Sequence, residues 1–179
     1  MHTTQFLAES MKDFKGLYHR LLSPRVVALV VTLRVDQLPN VMVAAWHTPV
    51  SANPPILAVC IAPNRLTHRL LENGGEFTVN VPPYSLLDKV EIAGFNSGLN
   101  YDKSKLFHYI PAMKVNVPVI EEAIGTIECK VNRMLEMGDH SVIFGNVVAA
   151  HAKGFAEIWK SSTPLLHLGS NYFTDLKKP

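Results

Sequence analysis

The fold is decided in the stretch Asn40-Val41-Met42-Val43-Ala44-Ala45-Trp46-His47-Thr48-Pro49-Val50-Ser51-Ala52-Asn53-Pro54-Pro55. Its first half is apolar, which predicts a buried strand over 40–47. Its second half, residues 48–54, is small and hydroxyl-rich and predicts a loop. Trp46 and His47 lie where the strand meets the loop. Such a segment can bring its backbone close to a flat ligand while the strand before it stays buried.

Strand patterns recur on both sides of this stretch and outnumber helical ones. The predicted strands cover 25–33, 40–47, 55–61, 77–81, 127–131, 141–150 and a short extended piece at 165–173. The helical patterns cover 5–22, 65–72 and 84–95, and residues 96–117 are read as irregular. No strand leads into a Gly-rich turn and a long helix, which argues against a Rossmann nicotinamide site. We therefore predict a mainly β protein, one domain over 1–179, built as a closed antiparallel barrel with short helices packed outside.

Composition and charge limit the function classes. The chain has 179 residues, 47% of them hydrophobic and 18% charged, which excludes disorder and allows one core without disulfides. The formal net charge is +2 and basic residues are scattered, so nucleic acid is not an expected partner. No apolar run is long enough to cross a bilayer, and the N-terminus lacks a signal-peptide pattern. Cys60 and Cys129 stand in apolar contexts typical of free thiols, which suits the cytoplasm.

The start of the helix predicted from residue 65 has the composition of an anion site. Asn64 is a suitable N-cap, and the first-turn N–H groups and the helix dipole favour negative charge. Arg65, Thr67 and His68 add a fixed charge, a hydroxyl and a titratable donor, which suit a phosphate monoester. Taken alone, an ordinary solvated helix face is the more common explanation.

The segment 44–54 could serve a flat heterocycle. Ala44, Ala45, Thr48 and Ser51 are small enough for main-chain amides to approach a ring and to stabilise negative charge at its edge. The alternative is that this segment only connects two strands of the barrel.

A second string, Gly138-Asp139-His140-Ser141-Val142-Ile143-Phe144-Gly145-Asn146-Val147, lies far along the chain. A Gly-Asp turn entering a strand is common, and a lone histidine there is more often a surface or core residue than a functional one. The longer spacing is more informative: Gly-Asp-His, four residues, Gly, one residue, Val.

Taken in order, these pieces resemble the flavin reductase-like family, the split-barrel proteins that bind FMN. The resemblance covers about residues 22–173. It rests on five segments: Asn40 through Pro55, Arg65-Leu66-Thr67-His68 after a strand, Phe77-Thr78-Val79-Asn80-Val81-Pro82, the complete pattern of Gly138, Asp139, His140, Gly145 and Val147, and the late Leu165-Leu166-His167-Leu168-Gly169. Any one of these motifs alone is weak, whereas the ordered set is fairly specific.

The resemblance implies a split β-barrel homodimer with FMN held between the barrel and the partner subunit. The flavin ring would lie along Met42, Val43, Ala44, Ala45, Trp46, His47 and Thr48, and the phosphate near Ser51, Arg65, Thr67 and His68. His140 would border the nicotinamide pocket as the residue that acts in catalysis by position and charge. No Cys/His cluster or HExxH motif occurs, so no metal site is expected.

One departure separates this chain from part of the family. Flavin reductases that serve two-component monooxygenases usually have polar residues, often Asn-Ser, where this chain has Ala45-Trp46. The chain looks closer to the ferric reductase and flavoredoxin branch. The expected function is hydride transfer from NADH or NADPH to FMN, with onward transfer to free flavin, a ferric chelate or a redox protein. The alternatives are an FMN-binding electron carrier without its own NAD(P)H oxidation and a barrel that has lost flavin.

Overall fold

The computed structural model describes residues 15–155 and 163–176. Its strands are β1 (Arg25–Val26), β2 (Ala28–Leu33), β3 (Pro39–Ala44), β4 (His47–Ala52), β5 (Pro55–Ile61), β6 (Glu76–Val81), β7 (Tyr109–Ile110), β8 (Val119–Ile120), β9 (Gly125–Met137), β10 (His140–Ala152), β11 (Leu166–Gly169) and β12 (Tyr172–Thr174). The helices are α1 (Leu66–Leu71) and α2 (Leu87–Phe95), with 3-10 segments at Lys15–Leu22 and Tyr84–Leu86. The predicted mainly β fold class is confirmed.

Seven strands form one antiparallel sheet in the order β3-β2-β6-β9-β10-β5-β4. Its edge strands, β3 and β4, are consecutive in the chain and are joined only by Ala45 and Trp46. Two residues can connect opposite edges of a seven-stranded sheet only if the sheet curls back on itself. Within the described residues, however, no ladder pairs β3 with β4 or β5. The closed barrel favoured by the strand pattern is therefore corrected, and the split β-barrel implied by the family resemblance is confirmed.

The core lies on both faces of β2, which explains why its sequence does not alternate. Ala28 and Val30 pack in one cluster with Phe77 of β6 and other strand residues. Leu29 and Val31 belong to a second cluster, which includes residues of α2 and of the segment before β9. The helix α2 is thereby fixed beside β3, next to the split.

Two of the predictions for the strands and loops differ most from the structure. The loop predicted over 48–54 is wrong, because β4 extends through most of it and pairs with β5, with a bulge between Pro49 and Ser51. A bulged edge strand accepts proline and small polar residues, so its sequence resembles that of a loop. The strand predicted over 127–131 is longer in the structure and covers 125–137. The prediction missed the outer half because that half is exposed and its sequence carries no apolar pattern.

The helical predictions are closer. α1 begins at Leu66 with Arg65 as its N-cap residue, so Asn64 is not the cap. Gly74, just beyond the helix, has a φ of +88°, the left-handed conformation in which a glycine commonly ends a helix. The predicted helix over 5–22 is described only from Lys15, where the chain forms a kinked 3-10 segment; residues 5–14 lie outside the described residues.

Candidate functional site

The split of the barrel opens into a cleft of about 350 Å³, called here the large cleft. This volume is at the lower end of the range for small-molecule sites, about 300–1,000 Å³. The end of β3 and the join that follows line it, together with the end of β5, the helix α2 and the hairpin β11–β12. Seven residues predicted from the sequence lie in its wall: Met42, Val43, Ala44, Ala45, Trp46, Arg65 and His140.

The strand β3 gives the large cleft a main-chain edge. β3 pairs with β2 on one side, and its other side has no strand partner within the described residues. An unpaired strand edge offers N–H and C=O groups to a ligand. Because the side chains around this edge are mostly apolar, the cleft suits a flat heterocycle with polar atoms along one side.

Stacked rings lie at the cleft. The rings of Trp46 and His140 are 4.8 Å apart between centroids with an interplanar angle of 29°, and the His19 ring tilts against Trp46 at 5.2 Å. The guanidinium of Arg25 lies 5.8 Å from the Trp46 ring centroid, within cation–π range. Nδ1 of His140 lies 2.8 Å from Oδ1 of Asp139, and this hydrogen bond lowers the pKa of the Asp139 carboxyl. The neighbours of His140 therefore fix the orientation of its ring.

The Gly-Asp-His string contains structural positions and one position that lines the cleft. Gly138 has a φ of +65° in the turn between β9 and β10, where other residues are strained. A Cβ at Gly145 would lie 2.5 Å from Phe77 Cζ and 2.9 Å from Cys129 Cβ, so this glycine is required by the core. Of the string, only His140 reaches the large cleft.

A second, smaller cleft of about 40 Å³ adjoins the first, and is called here the small cleft. The two share lining residues, among them Met42, Val43, Arg65 and Gly94. The small cleft is otherwise lined by polar and small groups that include Asn40, Thr67, Asn96, Ser97, Gly98 and Lys103, and no carboxylate lines it. It is therefore a donor-rich extension of an apolar cleft.

Lys103 brings a buried charge to the small cleft. Its Nζ donates hydrogen bonds to Val41 O at 3.0 Å and to Ala93 O at 2.7 Å, and the residue is 4% exposed. Burial, and to a lesser degree the positive charge of Arg65, lower the pKa of Lys103 from 10.5 to about 8. Sequence reasoning missed this residue because it lies in a segment without periodicity, read only as irregular.

Four predicted site residues do not line either cleft. His47 donates from Nε2 to Val26 O at 2.9 Å, and burial lowers its pKa. His68 is buried and shares a 2.9 Å hydrogen bond with Ser141 Oγ. Thr48 and Ser51 lie on β4, with Thr48 exposed and Ser51 half-buried. Thr67 lines the small cleft. Of the residues predicted to lie near the phosphate, Arg65 and Thr67 therefore line a cleft, whereas Ser51 and His68 do not.

Other residues at the large cleft were not predicted. They include Glu91, Gly94 and Phe95 from α2, and His167, Ser170, Asn171 and Phe173 from the C-terminal hairpin. The late Leu165–Gly169 segment was a usable signal for the hairpin, because it is part of the family pattern. α2 carried no such signal beyond its helical spacing.

The described residues contain neither a cluster of metal ligands nor a helix that could span a membrane. No group of three or more His, Cys, Asp or Glu side chains in this part of the chain is arranged to hold a metal ion. Among the helices within 15–155 and 163–176, none has the length and apolar character needed to span a membrane.

Comparisons with known proteins agree with this geometry. Residues 19–174 match the family model described as a flavin reductase like domain. A flavin reductase (NADH) of Kitasatospora aureofaciens is 34% identical over 128 residues, which cover 70% of this chain and 65% of that relative. Two solved structures share the fold: an FMN-binding protein from Thermus thermophilus with bound p-hydroxybenzaldehyde (TM-score 0.81, 29% identity, 93% of each chain covered) and the flavoredoxin of Desulfovibrio vulgaris (Miyazaki F) (TM-score 0.80, 25% identity, 94% of each chain covered). Because the family model spans most of the sequence, this chain belongs to the flavin reductase-like family, in the branch that includes flavoredoxins.

Proposed function

We propose that this protein is an FMN-binding oxidoreductase that accepts a hydride from NADH or NADPH and passes electrons to free flavin, a ferric chelate or a redox protein. One observation carries the proposal: a cleft suited to a flat ring continues into a small cleft suited to an anion. FMN has this composition, since a planar ring system is joined through a ribityl chain to a phosphate.

The donor set fits FMN on three counts. The large cleft has apolar lining with an unpaired strand edge, as a ring with polar edge atoms requires. The small cleft contains two cationic side chains, Arg65 and Lys103, and no acidic one. At Gly98, a Cβ would lie 2.2 Å from Asn40 Oδ1, so glycine allows this segment to close the wall of the small cleft.

Each part of the site has a role in this proposal. When bound, FMN supplies the hydride-accepting and electron-donating chemistry. Met42 through Trp46 bind and orient the ring and exclude water from one side of it. Arg65 and Thr67 bind the phosphate. His140, held by Asp139 and stacked on Trp46, positions the nicotinamide ring and presents a polar group beside it.

A second candidate is an FMN-binding electron carrier that does not oxidise NAD(P)H. The stack of Trp46 on His140 supports it, because one face of the His140 ring is already covered by Trp46 and is not open to a nicotinamide ring. The similarity to a flavoredoxin supports it as well. Oxidation of a nicotinamide would then require this pair to separate or to stack on the incoming ring.

We also propose that the protein acts as a homodimer in the cytoplasm. Leu135 and Met137, near the tip of the long β9–β10 hairpin, are exposed apolar residues that a second copy could cover. The free thiols of Cys60 and Cys129 suit a reducing compartment.

The first test is an absorbance spectrum of the purified protein, reconstituted with FMN and then mixed anaerobically with NADH or NADPH. A flavin spectrum that bleaches supports the reductase and identifies the preferred nicotinamide. A flavin spectrum that remains, but bleaches with dithionite, supports the carrier. If the protein retains no FMN after reconstitution and gel filtration, and turns none over, the flavin proposal is wrong.

A further inference from the structure

Two further cavities adjoin the large cleft at Trp46 and are together called here the cationic cleft. One has a volume of about 230 Å³ and the other about 150 Å³, and both are lined by His19, Arg25 and Trp46. Cys60 also lines the first, and Arg20 and His167 also line the second. Trp46, Cys60 and His167 line the large cleft as well. A ligand whose ring lies in the large cleft can therefore extend past Trp46 into the cationic cleft.

The lining of the cationic cleft is positively charged. Arg20 and Arg25 contribute fixed charges, His19 contributes an imidazole ring, and no carboxylate lines either cavity. The exposed carboxylate of Asp139 lies outside this lining. Within residues 15–155 and 163–176, neither arginine forms an ion pair. Guanidinium groups that face a cavity without a carboxylate partner favour an anionic ligand.

Arg25 is held in place by neutral groups. Its Nε donates a hydrogen bond to Leu22 O at 3.2 Å, and its Nη2 donates to His19 O at 2.9 Å. The same guanidinium lies 5.8 Å from the centroid of the Trp46 ring. Because a guanidinium has five N–H donors, these two hydrogen bonds leave three for a ligand. A fixed, planar donor group of this kind suits the oxygens of a phosphate.

The position of the cationic cleft selects one phosphate-bearing ligand. The proposed function has a nicotinamide ring beside His140, and the His140 ring stacks on Trp46 with centroids 4.8 Å apart. In NADH and NADPH, one ribose separates the nicotinamide ring from a diphosphate. Because Trp46 contacts both His140 and Arg25, a dinucleotide with its ring at His140 has its diphosphate within reach of Arg25.

We propose that the cationic cleft binds the diphosphate of the nicotinamide dinucleotide, with Arg25 as its half-buried contact and Arg20 as its exposed one. This inference rests on the proposed function, because it assigns the part of the substrate that does not react. It predicts that the protein distinguishes a dinucleotide from a nicotinamide that carries no phosphate.

The first test is calorimetric titration of the FMN-loaded protein with NAD⁺ and with NADP⁺, which bind without being turned over. Arg25→Gln and Arg20→Gln each remove a charge and keep N–H donors. Because a charge-assisted hydrogen bond to the diphosphate is lost, we expect either variant to bind both dinucleotides roughly 10-fold more weakly. Arg133→Gln is the matched control: it makes the same charge change at an exposed position on β9, outside the clefts, and keeps the wild-type affinity.

Stopped-flow reduction of bound FMN gives a second readout. NADH is compared with N-benzyl dihydronicotinamide, which has the reacting ring and no phosphate. We expect the ratio of the two second-order rate constants, NADH over the benzyl compound, to fall roughly 10-fold in the Arg25 and Arg20 variants. An equal loss with both reagents would mean that the variants disturb the flavin site, and the proposal would be wrong.

The outcomes separate this inference from the proposed function. If NADH or NADPH reduces the bound FMN and both arginine variants behave as the wild type, the cationic cleft is wrongly assigned and the reductase stands. If neither dinucleotide binds or reduces the wild type, the reductase is wrong and this inference with it. A loss confined to NADP⁺ would assign the cleft to its extra phosphate, and an equal loss in Arg133→Gln would indicate only general charge. Either result overturns the diphosphate site.

Inorganic pyrophosphate tests the wild type and covers the case in which Arg25→Gln does not fold. It is added below the concentration at which flavin fluorescence shows release of FMN. We expect pyrophosphate to compete with NADH and to leave reduction by N-benzyl dihydronicotinamide unchanged, because only NADH has a diphosphate. Equal inhibition of the two reagents, or inhibition of neither, would overturn the proposal.

Discussion

The large and small clefts share one border but are built from different parts of the chain. The large cleft is made by a strand edge and stacked rings, which recognise shape, whereas the small cleft is made by side-chain donors and two cations, which recognise charge. The first comes from segments with a clear pattern, such as Met42 through Trp46. The second depends on Lys103, from a segment without one. Ring affinity and phosphate selectivity should therefore respond to different mutations.

The largest effect is expected where the two clefts meet. Gly94 of α2 lines both clefts, and a Cβ there would lie 3.6 Å from Val43, an ordinary contact. Gly94→Phe would fill the border with a ring, so we expect FMN and riboflavin both to bind roughly 100-fold more weakly or not at all. Equilibrium titration of each flavin measures this.

Gly94→Ala is the control for this prediction. Its methyl group fits beside Val43, and replacing a helical glycine stabilises the fold by up to about 1 kcal/mol. Flavin affinity should stay at the wild-type level while the unfolding temperature does not fall. Wild-type affinity in Gly94→Phe would mean that the ligand does not cross this border, and the two clefts would have to be treated as separate.

A smaller effect is expected at the rings of the large cleft. His140→Ala removes the side chain proposed to position the nicotinamide ring, and a loss of about 1.4 kcal/mol of transition-state stabilisation would slow the reduction of bound FMN by NADH or NADPH roughly tenfold. FMN affinity should change less than the rate, because the contacts of the small cleft, which His140 does not line, are kept. Stopped-flow absorbance gives the rate. His151→Ala, an exposed histidine at the other end of β10, should react at the wild-type rate.

An unchanged reduction rate in His140→Ala would remove this residue from the site. A protein that is not reduced at all, with or without His140, would instead favour the carrier. The same experiment therefore tests the role of the ring stack and the choice between the two candidate functions.

The sequence predicted those regions of the fold and of the candidate site whose structural role leaves a local pattern. Apolar strands such as β2 and β3 must be buried, and burial leaves a pattern, so the barrel and the wall over Met42–Trp46 could be predicted. The spacing of Gly138, His140 and Gly145 was informative for mixed reasons: a turn, a residue that lines the large cleft and a packing constraint. Short motifs of this kind combine structural and functional requirements.

The remaining features depend on contacts between distant segments. β4 has the composition of a loop, and only its pairing with β5 makes it a strand. Lys103 is buried because β3 and α2 close over it, with acceptors 62 and 10 residues away in sequence. His68 suited a phosphate site by composition, but its partner Ser141 lies 73 residues away and holds it in the interior. Local patterns contain no information about such pairs.

The smallest predicted effect concerns stability and pH, and it tests the buried charge of the small cleft without any ligand. The pKa of Lys103 is about 8 in the folded chain, against 10.5 ordinarily. Between these values the unfolded chain binds more protons than the folded one, so the free energy of unfolding rises with pH. From pH 7 to pH 9 the contribution of Lys103 amounts to about 1 kcal/mol.

Lys103→Gln should lack this contribution. Burial raises the pKa of the Cys129 thiol to about 12, which acts in the opposite direction above pH 8, but it does so equally in both chains and cancels in their difference. Urea unfolding of ligand-free wild type and variant at pH 7, 8 and 9 gives that difference directly. We expect the free energy of unfolding of the wild type to increase relative to that of the variant as the pH rises, because the wild type loses a buried charge that the variant never had. If the unfolding free energies of wild type and variant instead change in parallel with pH, the ammonium of Lys103 is well solvated in the absence of FMN. The small cleft would then differ from the large one in composition but not in its electrostatics.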